Sequence, residues 1–155
     1  MSLRSKGGDL TGLRNASFWA TVVLTIAVVT LLFNHGLFAG RSVFLAPQVL
    51  AALLMLWARF TLRGRSFHVT SEPTAGELVT TGPYHFIRHP IYSAILIFVF
   101  AGVAAHPSLL NGGLAAIAAG GLVVRMLTEE KSLAGCYPEY AAYAAITKRV
   151  VPYII

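Results

Sequence analysis

Two short clusters in this sequence hold residue types whose chemistry is complementary, and each abuts a long apolar run. The first ends the stretch GELVTTGPYHFIRHPIY (76–92), where Arg88, His89, Pro90 and Tyr92 stand at the entrance to an apolar segment. Proline suits the first turn of a helix, and the backbone N–H groups of that turn are unpaired donors with a partial positive charge. Such an entrance favours an anionic group, to which Arg88 can add a two-pronged contact. The second cluster, in RMLTEEKSL (125–133), gathers Arg125, Glu129, Glu130 and Lys131 at the end of another apolar run. Two neighbouring carboxylates at a membrane boundary and near a helix end are costly unless the helix continues or a cation compensates, so this cluster favours a cationic ligand. Arg125 and Glu129 are four apart and share a helix face, whereas Glu130 is turned from Glu129 by about 100°. Both acids cannot pair with Arg125, which leaves one of them for a ligand.

Taken singly, each residue also has a plainer use. Arg88 serves as a positive charge on the inner side of a membrane, His89 as a helix cap, and Tyr84 and Tyr92 as interfacial aromatics. Arg125 and Glu129 form a simple ion pair. In the tail, Tyr137, Tyr140 and Tyr143 recur every three residues beside Lys148 and Arg149, the pattern of a face lying in the membrane interface. His35 and His106 receive no role, and His68 and His85 lack the spacing of metal ligands, so no metal site is expected. Cys136 is the lone cysteine, which excludes an internal disulfide and a cysteine metal cluster.

The elements that must position these clusters are membrane helices. Of the 155 residues, 56% are hydrophobic and only 12% charged, about half the charge of an ordinary soluble domain. Four apolar runs are legible: 16–33, 43–62, 91–105 and 114–127, the last extendable back to Leu109. The predicted fold is therefore all-α, a polytopic membrane protein of about four transmembrane helices in a single domain over residues 1–155. The third run is short unless Pro90 contributes. The Ala- and Gly-rich fourth run is expected to pack as a hairpin with the third, since small residues let helices approach. A cleaved leader is the rival reading of the first run, with FAG (38–40) as a loose cleavage site.

Of the 12 Lys and Arg, only Arg41 falls in the outer loops of this arrangement, so the polar segments and both termini are assigned to the cytoplasm of an inner or plasma membrane. The formal charge of +6 is accounted for by this topology, because the basic residues form no continuous run, and nucleic acid is not an expected partner.

The order GELVTTGPYHFIRHPIY, helical hairpin, RMLTEEKSL, YPEYAAYAAITKRVVP resembles the isoprenylcysteine carboxyl methyltransferase family and its phospholipid methyltransferase relatives. The resemblance covers roughly the C-terminal half, residues 76–152, as the cofactor-binding core. It implies a membrane enzyme that binds S-adenosylmethionine at the cytoplasmic face and takes a lipophilic or lipidated acceptor from the membrane lipid. It places Tyr84, Arg88, His89, Pro90 and Tyr92 on one side of the cofactor and Glu129 and Glu130 on the other. Arg125 or Arg149 would position a carboxylate acceptor, and Glu129 or a histidine would take the proton of an amine acceptor. The sequence departs from the family in being short and in carrying Cys136-Tyr137-Pro138 where a Phe-Gly or Phe-Pro pair is usual.

Two other readings compete. Membrane steroid reductases, which use NADPH, resemble the same half but carry an acidic residue soon after Pro-x-Tyr, where this chain reads Ser93-Ala94-Ile95. A non-catalytic membrane subunit would need only topology-setting arginines and a small-residue helix face.

Overall fold

A computed structural model describes residues 4–40, 42–62 and 78–151, with side chains described from Thr11 onward and not at Ser42. Arg41, Arg63, Arg65, His68 and the first two residues of the GELVTTGPY stretch lie outside the described residues. Among the described residues the fold is all-helical: α1 (Arg4–Phe33), α2 (Ser42–Leu62), a short 3-10 turn (Gly82–His85), α3 (Pro90–Ala105), α4 (Leu109–Cys136) and α5 (Tyr140–Ile146). α1, α2 and α4 contain stretches long and apolar enough to cross a membrane. α3 does start at Pro90, yet its 16 residues give about 24 Å of helix against a hydrocarbon core of about 30 Å.

α4 differs most from its sequence pattern, running to Cys136 instead of ending at Leu127. Leu, Glu, Lys, Ser and Ala all tolerate helix, and a change from apolar to polar composition is not a helix stop. Glu129 and Glu130 are thus interior to a helix and not at its end, and the macrodipole penalty expected there does not apply. The two ends of α4 have local causes. Ser108 caps the start, its hydroxyl accepting from the Asn111 amide at 3.0 Å, and the Tyr137 amide closes the last turn on Leu133.

The packing also differs from a hairpin of α3 with α4. α4 lies chiefly along α1, and α3 along α2, with a smaller α3–α4 seam. Gly121 favours the first pairing: a Cβ there would stand 3.1 Å from the Ala20 carbonyl oxygen, closer than side chains ordinarily pack, so the two helices approach more closely than with a larger residue. Gly102 lets α3 pack against the α1–α2 connection, where a Cβ would collide with the Leu37 carbonyl. Leu31, Leu37, Val99 and Ala115 form the buried centre between the pairs.

The helices alternate in direction, so the α1–α2 and α3–α4 connections share one end of the bundle. α1 stops there with His35 in a left-handed conformation (φ 54°), the Gly36 amide reaching back to Leu31 and the His35 amide to Leu32. A buried Gln48 then ties three segments together. It accepts from the Ala39 amide at 3.0 Å and donates to the carbonyls of Leu37 at 2.7 Å and Phe98 at 3.1 Å. Replacing it by an apolar isostere strands these groups away from water, at a cost of about 1–3 kcal/mol. Gln48→Leu is therefore expected to lower the thermal midpoint in detergent; an unchanged midpoint would mean that Gln48 does not hold this end.

Candidate functional site

The opposite end of the bundle collects the α1 and α3 starts and the α2 and α4 ends, and it is here that the two chemical clusters meet. Pro83 and Gly82 shape the approach to α3. Gly82 takes φ 59°, a left-handed conformation in which any Cβ would press on the Thr61 side chain. The chain then runs Ile87-Arg88-His89 alongside the tail: the Arg88 amide donates to Lys148 O at 2.7 Å and the His89 amide to Arg149 O at 3.0 Å, in parallel pairing around Ile87 and Lys148. Ser93 Oγ extends this stitch to Val150 O at 2.7 Å. The tail is thereby a fixed wall of the site. It also takes up two backbone donors just ahead of α3 that the sequence left open for a ligand.

Glu130 is the hub. Arg88 Nε donates to its Oε1 at 3.1 Å, His89 Nε2 faces the same oxygen at 3.4 Å, and Arg149 donates from Nε to Oε2 at 3.0 Å and from Nη2 at 2.9 Å. Arg88 is held from behind as well, its Nη1 donating to the carbonyls of Ala144, at 2.8 Å, and Thr147. Its guanidinium is thus largely committed within the protein. His89 occupies the N-cap position of α3 without capping it. Its ring is spent between the two acids, with Nδ1 3.8 Å from Glu129 Oε2.

Glu129 belongs to a second strand of the network. The Tyr92 hydroxyl donates to Glu129 Oε2 at 2.8 Å and accepts from Arg125 Nε at 3.2 Å, while Arg125 also donates to the Thr21 hydroxyl on α1. The His89 and Tyr92 rings stack with centroids 5.4 Å apart, three residues apart on the first turn of α3. Arg125, Tyr92, Glu129, His89, Glu130, Arg88 and Arg149 are one connected set, drawn from α3, α4 and the tail. Pro90, fully buried, begins the helix that aims His89 and Tyr92. Tyr84 is buried beside them, and burial, then the charge of Glu129, holds its phenol well above the usual range.

Three contributors escaped the sequence reading. Tyr140 and Tyr143 do not form a face in the membrane interface; both are buried in the protein, at 5% and 8% exposure. Tyr143 donates to the Tyr84 carbonyl at 2.6 Å, and burial pushes the phenols of both residues up to about 12. A three-residue repeat marks one helix face and is the same whether lipid or protein covers that face. Thr21 gave no signal, since a threonine in an apolar helix ordinarily bonds its own backbone, as it also does here to Ser17 O at 2.8 Å. Among the described residues no three His, Cys, Asp or Glu side chains gather as a metal would require.

Comparison with known proteins gives a consistent result. The model of the isoprenylcysteine carboxyl methyltransferase (ICMT) family matches residues 42–135. The chain is 30% identical over 141 residues to the cobalt-zinc-cadmium resistance protein CzcN of Cupriavidus metallidurans, covering 84% of this chain and 61% of that protein. It is 25% identical over 139 residues to the nickel-cobalt-cadmium resistance protein NccN of Alcaligenes xylosoxydans xylosoxydans, covering 84% and 62%. The chain thus spans about three fifths of the length of these relatives. No solved structure matches it. The family match starts at residue 42, well before the motif-bearing half, and leaves out α1, which nonetheless supplies Thr21 to the network.

Proposed function

The chain belongs to the isoprenylcysteine carboxyl methyltransferase family, and from that premise we propose that it transfers a methyl group from S-adenosylmethionine to a lipophilic acceptor at the cytoplasmic face of the membrane. What carries this reading is the convergence of Arg88 and His89 with Glu129 and Glu130, residues about forty apart in sequence, on one end of a helical bundle. Excess Lys and Arg on that side supports the cytoplasmic orientation, and an isoprenylcysteine-like carboxylate or a lipid headgroup is the acceptor class.

The donor set suits the cofactor. Two acids offer acceptors for ribose hydroxyls or an ammonium, and the buried Tyr140 hydroxyl has no hydrogen-bond partner among the described residues. S-adenosylmethionine supplies a methyl group already activated on a sulfonium, so the protein's task is alignment more than base catalysis. Glu129 and Glu130 hold the hydroxyl or ammonium side. The start of α3 at His89 and Pro90, with Tyr92 and Tyr84, lines the amino-acid side. A carboxylate acceptor is already a nucleophile at neutral pH and is oriented by Arg125 or Arg149. For an amine acceptor, Glu129 or His89 takes the proton that leaves.

Purified protein in detergent is expected to bind S-adenosylmethionine saturably and NADPH not at all. Binding of NADPH instead would favour the reductase reading, and binding of neither would favour a non-catalytic subunit.

A further inference from the structure

The two oxygens of Glu130 differ in how many partners hold them. Oε1 faces Arg88 and His89, whose side chains are 10% and 3% exposed and whose surroundings fix them, and it also accepts from Arg149 Nε at 3.1 Å. Oε2 accepts only from Arg149, whose side chain is 46% exposed and whose guanidinium bonds nothing but Glu130 among the described residues. An arginine held by one carboxylate and otherwise in solvent is readily displaced, because exposed ion pairs contribute little net free energy. If Arg149 leaves, Oε1 keeps two buried partners and Oε2 keeps none, so Oε2 is the exchangeable oxygen.

Tyr140 stands within electrostatic reach of this pair. Its ring is edge-on to Tyr143 at 6.1 Å, and its hydroxyl is buried and unpartnered. Buried polar atoms are nearly always satisfied, so an orphan hydroxyl within electrostatic reach of an exchangeable carboxylate marks where a ligand atom belongs. Burial, reinforced by the charge of Glu130, keeps the phenol protonated and available as a donor at neutral pH.

We propose that Arg149 is an exchangeable counter-ion: the cationic or hydroxyl-bearing part of the methyl donor displaces it from Glu130 Oε2 and contacts Tyr140, and the released guanidinium then receives a carboxylate on the acceptor. This rests on the donor-binding reading above. It adds a sign that a static Arg149 would not produce, since removing the arginine removes a competitor of the donor.

The test is calorimetric titration with S-adenosylhomocysteine, which keeps the ammonium and ribose hydroxyls, on the full chain in detergent. Arg149→Ala is expected to bind it roughly three- to tenfold more tightly than the natural protein, the range that loss of one partly exposed ion pair allows. Arg149→Gln should do the same and serves if the alanine variant does not fold. Tyr140→Phe is expected to bind roughly three- to tenfold more weakly with no fall in melting temperature, because the deleted hydroxyl has no partner to lose. Equal or weaker binding by both Arg149 variants overturns the exchange while leaving the methyltransferase reading intact. Unchanged affinity in Tyr140→Phe removes Tyr140 from the subsite. Absence of binding by the natural protein overturns both readings.

Discussion

Glu130→Ala is expected to abolish S-adenosylmethionine binding and to destabilise the protein by about 3 kcal/mol, the lower end of what removing one partner from a buried ion pair costs. The size of the effect follows from what is left behind. Arg88 and His89 are almost fully buried, and both lose the carboxylate oxygen that faces them. Arg149, half exposed, returns to water at little cost and is not counted. Glu130→Gln separates the two consequences: its amide oxygen still accepts from Arg88, so most stability is retained, while the negative charge for a cationic ligand is gone. Thermal unfolding and ligand titration on both variants check this. Binding retained by Glu130→Ala would show that the ligand site lies elsewhere.

Arg88→Ala is expected to release the tail. The guanidinium bonds the carbonyls of Ala144 and Thr147 and the carboxylate of Glu130, so one side chain joins α4, the end of α5 and the approach to α3. Its loss leaves two carbonyls without this donor and takes one of three partners from Glu130, a cost of about 2–4 kcal/mol with the charged bond counted at the upper end. Arg88→Lys should recover less than half, because a single ammonium lacks the planar fork that serves separate acceptors at once. Hydrogen exchange reads the effect directly. Amide protection at Arg88, His89 and Thr147 should fall in both variants, whereas α1 and the middle of α4, packed on each other through Gly121, should keep theirs. Unchanged protection at those three amides would mean that backbone pairing alone holds the tail.

The two predictions lie on the same residues that made the sequence readable. Arg88, His89, Glu129 and Glu130 were identifiable because their chemistry is unusual at a membrane boundary, where unpaired charge is expensive and so has a reason to be present. Tyr140, Tyr143 and Thr21 were not identifiable, because an aromatic or a threonine is unremarkable at such a boundary and its role depends on what covers it.

By itself the sequence determined that the chain is helical and apolar enough to span a membrane, where its apolar runs lie, and which charged groups sit beside them. These properties are local, set by composition and by neighbours one or two helical turns away. Only the tertiary structure decided that α4 lies along α1, that the tail runs beside Ile87-Arg88-His89, and that Glu130 is shared by Arg88, His89 and Arg149 while Tyr92 links Glu129 to Arg125. Those facts depend on glycine-sized approaches and on backbone donors meeting acceptors some sixty residues away, and no periodicity records which partner a face or an amide will find.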